Sequence, residues 1–535
     1  QQLVKIALLS SERTITRKLK ELILAVQVDS KYSKNQILEM YLNNIPYGGT
    51  AVGIEAASNL YFNKHAKDLT LPESAFLGGL PQLPSYYSPF ANKDKNYIGR
   101  SKDVLRRMKD EGYISQKQAD EALKTITNFT FKQHKTEAIK APHFVMYVRQ
   151  QLIDMFGENY VSNGNLTIKT TLDSDIQDDA EEIVTKEFEG FKNYKVQNAA
   201  VMVLDVKTGG IMAMLGSRDY FNDDIDGQFN AATSLRQPGS SLKPIMYAVA
   251  LEKGYTPSTL IMDVKTDFPV NDGSGNNTAY TPVNYDGKFR GPVQLRFSLG
   301  NSLNVPAVKM LARVGIKPVM QKGFDMGISN WEPTADHLKS VGLSLVLGGR
   351  EASLVQITSA YSVFARGGQK KETYGIEEVK DTHGKTLYKH QDKGQQQVLE
   401  QSVAFLISHI LLDNNARIEA FGPNSWLNVS GRTVSVKTGT TDQKRDNWTV
   451  GYTPSYAVGV WVGNNDNTPL DPRIASGVTG ASPIWNKVMT RVLKGKPKEE
   501  FQKPDSIVDK QIDAFSGAVA EDDGVTANVR EHQRV

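Results

Sequence analysis

A serine followed three positions later by a lysine occurs once in the 535 residues, at Ser240-Ser241-Leu242-Lys243, inside Pro238-Gly239-Ser240-Ser241-Leu242-Lys243-Pro244 at the head of an apolar run that predicts a helix. Residues three apart on a helix share a face, so the Lys243 amine can reach the Ser240 hydroxyl. Such a pair is a nucleophile with its own base. An unactivated hydroxyl attacks poorly, and a lysine whose pKa is lowered by burial or by a neighbouring cation can take its proton. The same spacing also fits an ordinary serine and lysine on a solvated helix face, and the pair alone does not separate the two.

Two downstream tripeptides change the balance: Ser302-Leu303-Asn304 and Lys437-Thr438-Gly439. In this order they complete the S-x-x-K, S-x-N and K-T-G set of penicillin-binding proteins and class A β-lactamases. Each tripeptide has a competitor. Lys207-Thr208-Gly209 is a second K-T-G, but it lies between Val201–Val206 and Ile211–Leu215, two apolar runs whose connection predicts a hairpin turn. Ser274-Gly275-Asn276 imitates S-x-N among Asn271, Asp272, Gly273 and Asn277, turn formers poorly suited to holding a catalytic group. Ser302 sits instead between two helical patterns, so a short loop can present Ser302 and Asn304 inward.

The elements that must position these groups follow from periodicity. Thr433 to Thr440 alternates apolar and polar residues, which predicts a central sheet strand carrying Lys437, with Gly439 letting a substrate approach the backbone. Asn447–Tyr452 and Tyr456–Gly463 flank Thr453-Pro454-Ser455 as the next hairpin. With the hairpin between Val201 and Leu215 this predicts a sheet of about five strands flanked by helices. The matching chemistry is acyl transfer. Ser240 attacks a carbonyl, Lys243 takes its proton, and backbone N–H groups near Ser240 and Thr440 hold the oxyanion. Ser302 relays a proton to the leaving amine and Lys437 adds positive potential. Asn304, Thr438 and Thr440 bond the substrate amide and a terminal carboxylate. With eight histidines and no Gly-x-Ser-x-Gly elbow, a Ser-His-Asp arrangement competes poorly.

Composition narrows the class. A net charge of +4, spread over 63 basic and 59 acidic residues, does not point to nucleic acid, and no basic-aromatic recognition block is present. The absence of cysteine rules out disulfides and thiolate metal sites, and no H-E-x-x-H cluster occurs. No stretch of about 18 apolar residues spans a bilayer. The apolar segment Leu71 to Leu83 fits a core better than a membrane surface.

Residues from about 190 to 495 resemble the transpeptidase domain of class A, bifunctional penicillin-binding proteins. Besides the three motifs, Leu345-Val346-Leu347-Gly348-Gly349, Ala360–Gly368 and Asp446-Asn447-Trp448 resemble family blocks in the family's order. The first 125 residues are similar to the peptidoglycan glycosyltransferase module that precedes it. That likeness rests on Arg13–Glu21, Lys34–Asn43 and Tyr47–Ala57, with Glu21 matching the family's second functional glutamate. Arg13, Arg17, Lys18 and Lys20 form a basic cluster beside Glu21. It fits either an exposed helix face or a grip on the pyrophosphate of a lipid-linked sugar. The family's E-D-x-x-F block, which holds the glycosyltransferase base, has no counterpart before Gln1, so this chain is expected to lack that activity while its parent retains it.

The resemblance implies a mostly α, lysozyme-like glycosyltransferase remnant at residues 1–125 and a small α+β linker at 126–190. An α/β penicillin-binding domain with an antiparallel sheet follows at 191–495, and a polar, loosely packed tail at 496–535. It implies a serine D,D-transpeptidase that cross-links stem peptides ending in D-Ala-D-Ala and is acylated by β-lactams. A D,D-carboxypeptidase or β-lactamase-like hydrolase and a non-catalytic penicillin sensor are the alternatives. No cofactor is implied for the transpeptidase; a divalent cation is compatible with the parent's glycosyltransferase. The implied partners are stem peptides, lipid II and other cell-wall synthesis proteins. The implied location is the bacterial cell membrane, through a single-pass anchor upstream of Gln1, with the catalytic domains extracytoplasmic.

Overall fold

The structure, a computed structural model, describes residues 1–7, 15–48, 51–90, 94–131, 139–192, 194–270, 278–441, 443–473, 478–513, 515–519 and 528–534. The chain divides into two compact units, residues 1–140 with 151–165, and residues 141–150 with 166–535. The first is mostly helical, with helices Ile15–Lys31, Lys34–Asn44, Ile54–Phe62, Leu71–Gly79, Tyr97–Asp110 and Gln116–Thr127. Ser33 with Gln36, Thr70 with Glu73 and Ser115 with Gln118 close capping boxes, which satisfy the free N–H groups of three helix starts. Leu71–Gly79 is core: Ala75, Phe76, Leu77 and the following Leu80 are buried, while Leu83 is exposed. Phe76 packs against Tyr61, Tyr97 and Phe131 with ring centroids 5.2, 5.4 and 4.8 Å away.

In the second unit the sheet is antiparallel and five-stranded, with β1 Asn198–Asp205, β2 Ile211–Leu215, β3 Ser435–Thr440, β4 Asp446–Tyr452 and β5 Tyr456–Gly463. Their order across the sheet is β3-β4-β5-β1-β2. Helices α1 Ser174–Gly190 and α7 Ala481–Val492 share one core with the sheet, through Val184, Val201, Val203, Val458, Val460 and Trp485. On the other face lies α5 Leu354–Ala365, where a Cβ on Gly459 would stand 2.2 Å from Thr358 Oγ1. Both faces being covered, β4 is buried along its whole length, its polar Asp446, Asn447 and Thr449 included.

Strand β3 is an edge strand, not the central one its pattern predicted. Its burial comes from helix α6, Gln401–Leu412, and from the turn that carries Ser240, not from a second strand. Ser435 Oγ donates to Ser408 O of α6 at 2.7 Å, while Val434 and Val436 join the core under α1 and α7. An alternating strand covered in this way cannot be told from a central one by periodicity. The Lys207-Thr208-Gly209 tripeptide forms the β1–β2 turn, and Ser274-Gly275-Asn276 lies outside the described residues. The region after residue 496 differs from the loose tail expected: Ile507–Asp513 pairs with Asn528–Arg534, and Ile507 and Ile512 are buried. Among the described residues no helix is long and apolar enough to cross a membrane.

Candidate active site

Gly239–Leu242 is a single 3₁₀ turn running directly into α2, Lys243–Glu252, with Lys243 N donating to Ser240 O. Around it the chain is pinned at three points. Ser241 Oγ donates to Pro238 O at 2.7 Å, Tyr361 Oη of α5 to Ser241 O at 2.5 Å, and Trp448 Nε1 of β4 to Gln237 O at 2.9 Å. Two glycines let this turn dock on β3. Gly239 has φ 55°, and a Cβ there would sit 2.5 Å from Thr440 O; a Cβ on Gly439 would sit 2.3 Å from Pro238 O. The space beside Gly439, expected to admit a substrate, is taken by the serine turn.

The second motif stands on the loop between α3, Leu295–Gly300, and α4, Asn304–Val314. Ser302 adopts φ 59°, a left-handed conformation costly for a residue with a Cβ. It is held there by Ser302 N to Leu299 O at 3.1 Å and Leu303 N to Ser298 O at 3.0 Å. From the fully buried Lys243, Nζ donates to Ser302 O at 2.7 Å, to Asn304 Oδ1 at 2.8 Å and, more weakly, to Ser302 Oγ at 3.4 Å. Lys437 Nζ donates to the same Ser302 Oγ at 2.8 Å and to Thr438 O at 2.9 Å. One hydroxyl thus lies within hydrogen-bond reach of two lysines that stand 59 residues before it and 135 after it.

Burial, reinforced by the charge of Arg417, lowers Lys437 from the usual lysine range to about 7. At neutral pH this amine is poised between donor and acceptor of a proton. Arg417 is itself almost fully buried and donates to Leu411 O, Leu427 O and Asn414 Oδ1. The sequence reading missed it. A second omission is Asn284, whose Oδ1 accepts from Asn304 N at 2.8 Å and Val305 N at 3.2 Å, fixing the start of α4. Its Nδ2 donates to both carboxylate oxygens of the fully buried Asp263, and Asn304 Nδ2 donates to the neighbouring Val283 O at 2.8 Å. No local pattern marks an asparagine that works through another asparagine's backbone.

Ser240, Ser302, Asn304, Thr438 and Thr440 line one pocket of about 410 Å³, with Asn284, Tyr285 and Lys444 also on its wall. Lys243 and Lys437 reach it through Ser302 and Asn304, so all five residues expected to be catalytic converge. A serine hydroxyl, two amines, a bridging hydroxyl and a strand with no neighbour on its outer side suit acyl transfer. In the other unit Glu21 is buried and accepts from Lys18 Nζ at 2.6 Å, while Lys20 is exposed. Arg17 belongs to the same helix, and Arg13 lies outside the described residues. Among the described residues no three His, Asp or Glu side chains group to hold a metal.

A serine-lysine acyl-transfer centre on this sheet defines a class, and comparison with known proteins narrows it to a family. Residues 199–490 match the family described as penicillin binding protein transpeptidase domain, and residues 1–109 match the transglycosylase family. Penicillin-binding protein 2D of Bacillus subtilis is 34% identical over 525 residues, covering 97% of this chain and 73% of that protein. Penicillin-binding protein 1A of Aquifex aeolicus is 31% identical, covering 94% and 77%. The crystal structure of penicillin-binding protein 1A from Haemophilus influenzae has the same fold, with a TM-score of 0.69 over 98% of this chain and 94% of that one at 24% identity. The chain belongs to the class A, bifunctional penicillin-binding proteins. It is a serine-type transpeptidase of peptidoglycan synthesis, joined to a transglycosylase domain.

Proposed function

We propose that Ser240 is the nucleophile that takes the acyl group of a stem peptide ending in D-Ala-D-Ala, with Lys243 as its base. Bonds to Ser302 O and Asn304 Oδ1 orient the Lys243 amine, which takes the serine proton when it is neutral. The Ser240 oxygen forms the bond to the penultimate carbonyl carbon, and backbone N–H groups of Ser240 and Thr440 hold the oxyanion. Ser302, bonded to Lys437, returns a proton to the departing D-alanine amine. Water or an acceptor amine can then attack the ester, and in this family the amine of a neighbouring stem completes the cross-link. Thr438 and Thr440 bind the substrate at the outer edge of β3, with Asn304 on its amide and Lys437 near its terminal carboxylate, while Gly439 lets the serine turn close on the strand.

The observation that carries this reading is Ser302 Oγ, shared between Lys437 at 2.8 Å and Lys243 at 3.4 Å beside Ser240. The test is intact-mass analysis after treatment with penicillin, followed by peptide mapping. An adduct within Gln237 to Lys243 supports the assignment, and an adduct elsewhere overturns it.

The transpeptidase module is assigned to 191–495, the linker to 126–190 and the transglycosylase region to 1–125. In that region Glu21 is assigned to glycan transfer and Arg13, Arg17 and Lys18 to the pyrophosphate of lipid II. Lower lipid II affinity of an Arg17→Ala variant of the full-length protein is the expected result. A divalent cation there finds no grouped donor set among the described residues, and no step is routed through one. Class A penicillin-binding proteins are membrane-anchored with extracytoplasmic catalytic domains. The single-pass anchor and contacts with other cell-wall synthesis proteins are part of the proposal.

A further inference from the structure

Among the described residues, the pocket that holds Ser240 is lined by one cation unrelated to the three motifs. Lys444 lies in the turn from β3 to β4 and has φ 54°, in the left-handed region that glycine and asparagine occupy most easily. This conformation is fixed from both sides, with Lys444 N donating to Thr441 O at 2.8 Å and Leu470 N to Lys444 O at 2.7 Å. The turn is tied further by Thr441 Oγ1, which accepts from Arg445 N at 2.9 Å and Asp446 N at 3.1 Å. Among the described residues that line the pocket there is no Asp or Glu.

The position of Lys444 along the edge strand sets what it can meet. A peptide added to the open side of β3, with its terminal carboxylate near Lys437 and Thr438, runs past Thr440 toward the turn. At about 3.3 Å per residue its last two residues span Thr438 to Thr440. The residue before them reaches Thr441 and the turn that presents Lys444. Resting on the assignment of Ser240 as nucleophile, we propose that Lys444 is a specificity residue of the donor site, whose ammonium binds a free carboxylate on the stem-peptide residue preceding D-Ala-D-Ala.

The test compares two donor peptides that differ only at that residue, one with a carboxylate and one with the carboxamide, reading kcat/KM for release of D-alanine. The wild-type protein is expected to favour the carboxylate about 5-fold at low salt, the size of a partly exposed charge-assisted bond, with the preference shrinking as salt is added. Lys444→Gln should abolish the preference while leaving turnover of the carboxamide peptide unchanged, and Lys444→Arg should keep it. An undiminished preference in Lys444→Gln, or none in the wild type, overturns the proposal. So does an equal loss on both peptides, which would mark a purely structural role. Labelling of Ser240 by a penicillin with an uncharged side chain is followed in parallel. If the wild type is not labelled there, the assignment of the nucleophile has failed independently of Lys444.

Discussion

Lys437-Thr438-Gly439 and Lys207-Thr208-Gly209 are the same tripeptide in one folding unit, and they share only the demand for glycine. A Cβ on Gly439 would stand 2.3 Å from Pro238 O, and one on Gly209, at φ 85°, 2.2 Å from Glu372 O. Both backbones are met closely by another chain segment. The lysines part company. Lys437 is 3% exposed, bonded to Ser302 and lowered to about 7, whereas the Lys207 side chain is 67% exposed and pairs with Glu499 at 3.1 Å. Thr208 belongs to the turn: its N donates to Asp205 Oδ1 and its Oγ1 accepts from Gly210 N. What makes a K-T-G chemical is therefore the burial of its lysine beside an acceptor, and the tripeptide alone supplies neither.

The contrast can be broken most sharply at Ser240, the proposed nucleophile, whose pocket only one of the two tripeptides lines. Ser240→Ala is expected to abolish labelling by a fluorescent penicillin; labelling that persists would mean neither tripeptide marks the site. Next in size, Lys437→Ala should slow acylation by about 10²–10⁴, the loss typical of a removed proton-transfer group, as stopped-flow acylation would report. The glycines sharpen what is shared. Gly439→Ala and Gly209→Ala should each lower unfolding stability by about 1–3 kcal/mol in denaturant titrations, from overpacking. Only Gly439→Ala should also impair acylation, and impairment by Gly209→Ala would erase the distinction.

Smaller effects concern proton affinity and the surface. Acylation should fall as pH rises through about 7 and Lys437 passes from its charged to its neutral form, since Ser302 draws on the Lys437 proton and the substrate carboxylate on its charge. Arg417→Met removes a positive neighbour that favours this neutral form, so the midpoint of the pH–rate profile should move to higher pH. An unmoved midpoint would assign the titration to another group. The same variant leaves Leu411 O and Leu427 O without their donor and should cost about 1–3 kcal/mol of stability. Smallest is Lys207→Ala. An exposed ion pair contributes about 0–1 kcal/mol, so acylation should stay within about 2-fold of wild type. A larger loss would mean that the two tripeptides had been assigned the wrong way round.

Much of the molecule was legible before any coordinates. The runs that form β1, β2, β4 and β5 predicted the sheet, and all five residues expected to be catalytic meet around Ser302. The edge position of β3 was not legible, because helix α6 and the serine turn bury its residues although no strand pairs with its outer side. Arg417 and Asn284 were not legible either. Their effects pass through Lys437 and through the backbone of Asn304, and each is near its target only after folding. The strand Ile507–Asp513 escaped notice among the lysines and prolines around it, since its two buried isoleucines are separated by four polar or half-buried positions.

The sequence by itself determined which groups are available: one serine with a lysine three residues on, a serine-asparagine pair, two K-T-G tripeptides, and the alternating patterns that make strands and helices. Residue type and short spacing are local properties, readable from the chain. The tertiary structure alone decided which lysine is buried to a pKa of about 7, that Ser302 bridges it to Lys243, and that the second K-T-G remains a turn. Desolvation and hydrogen bonding act over a few ångströms of space, and only folding brings groups 59 and 135 residues apart to those distances.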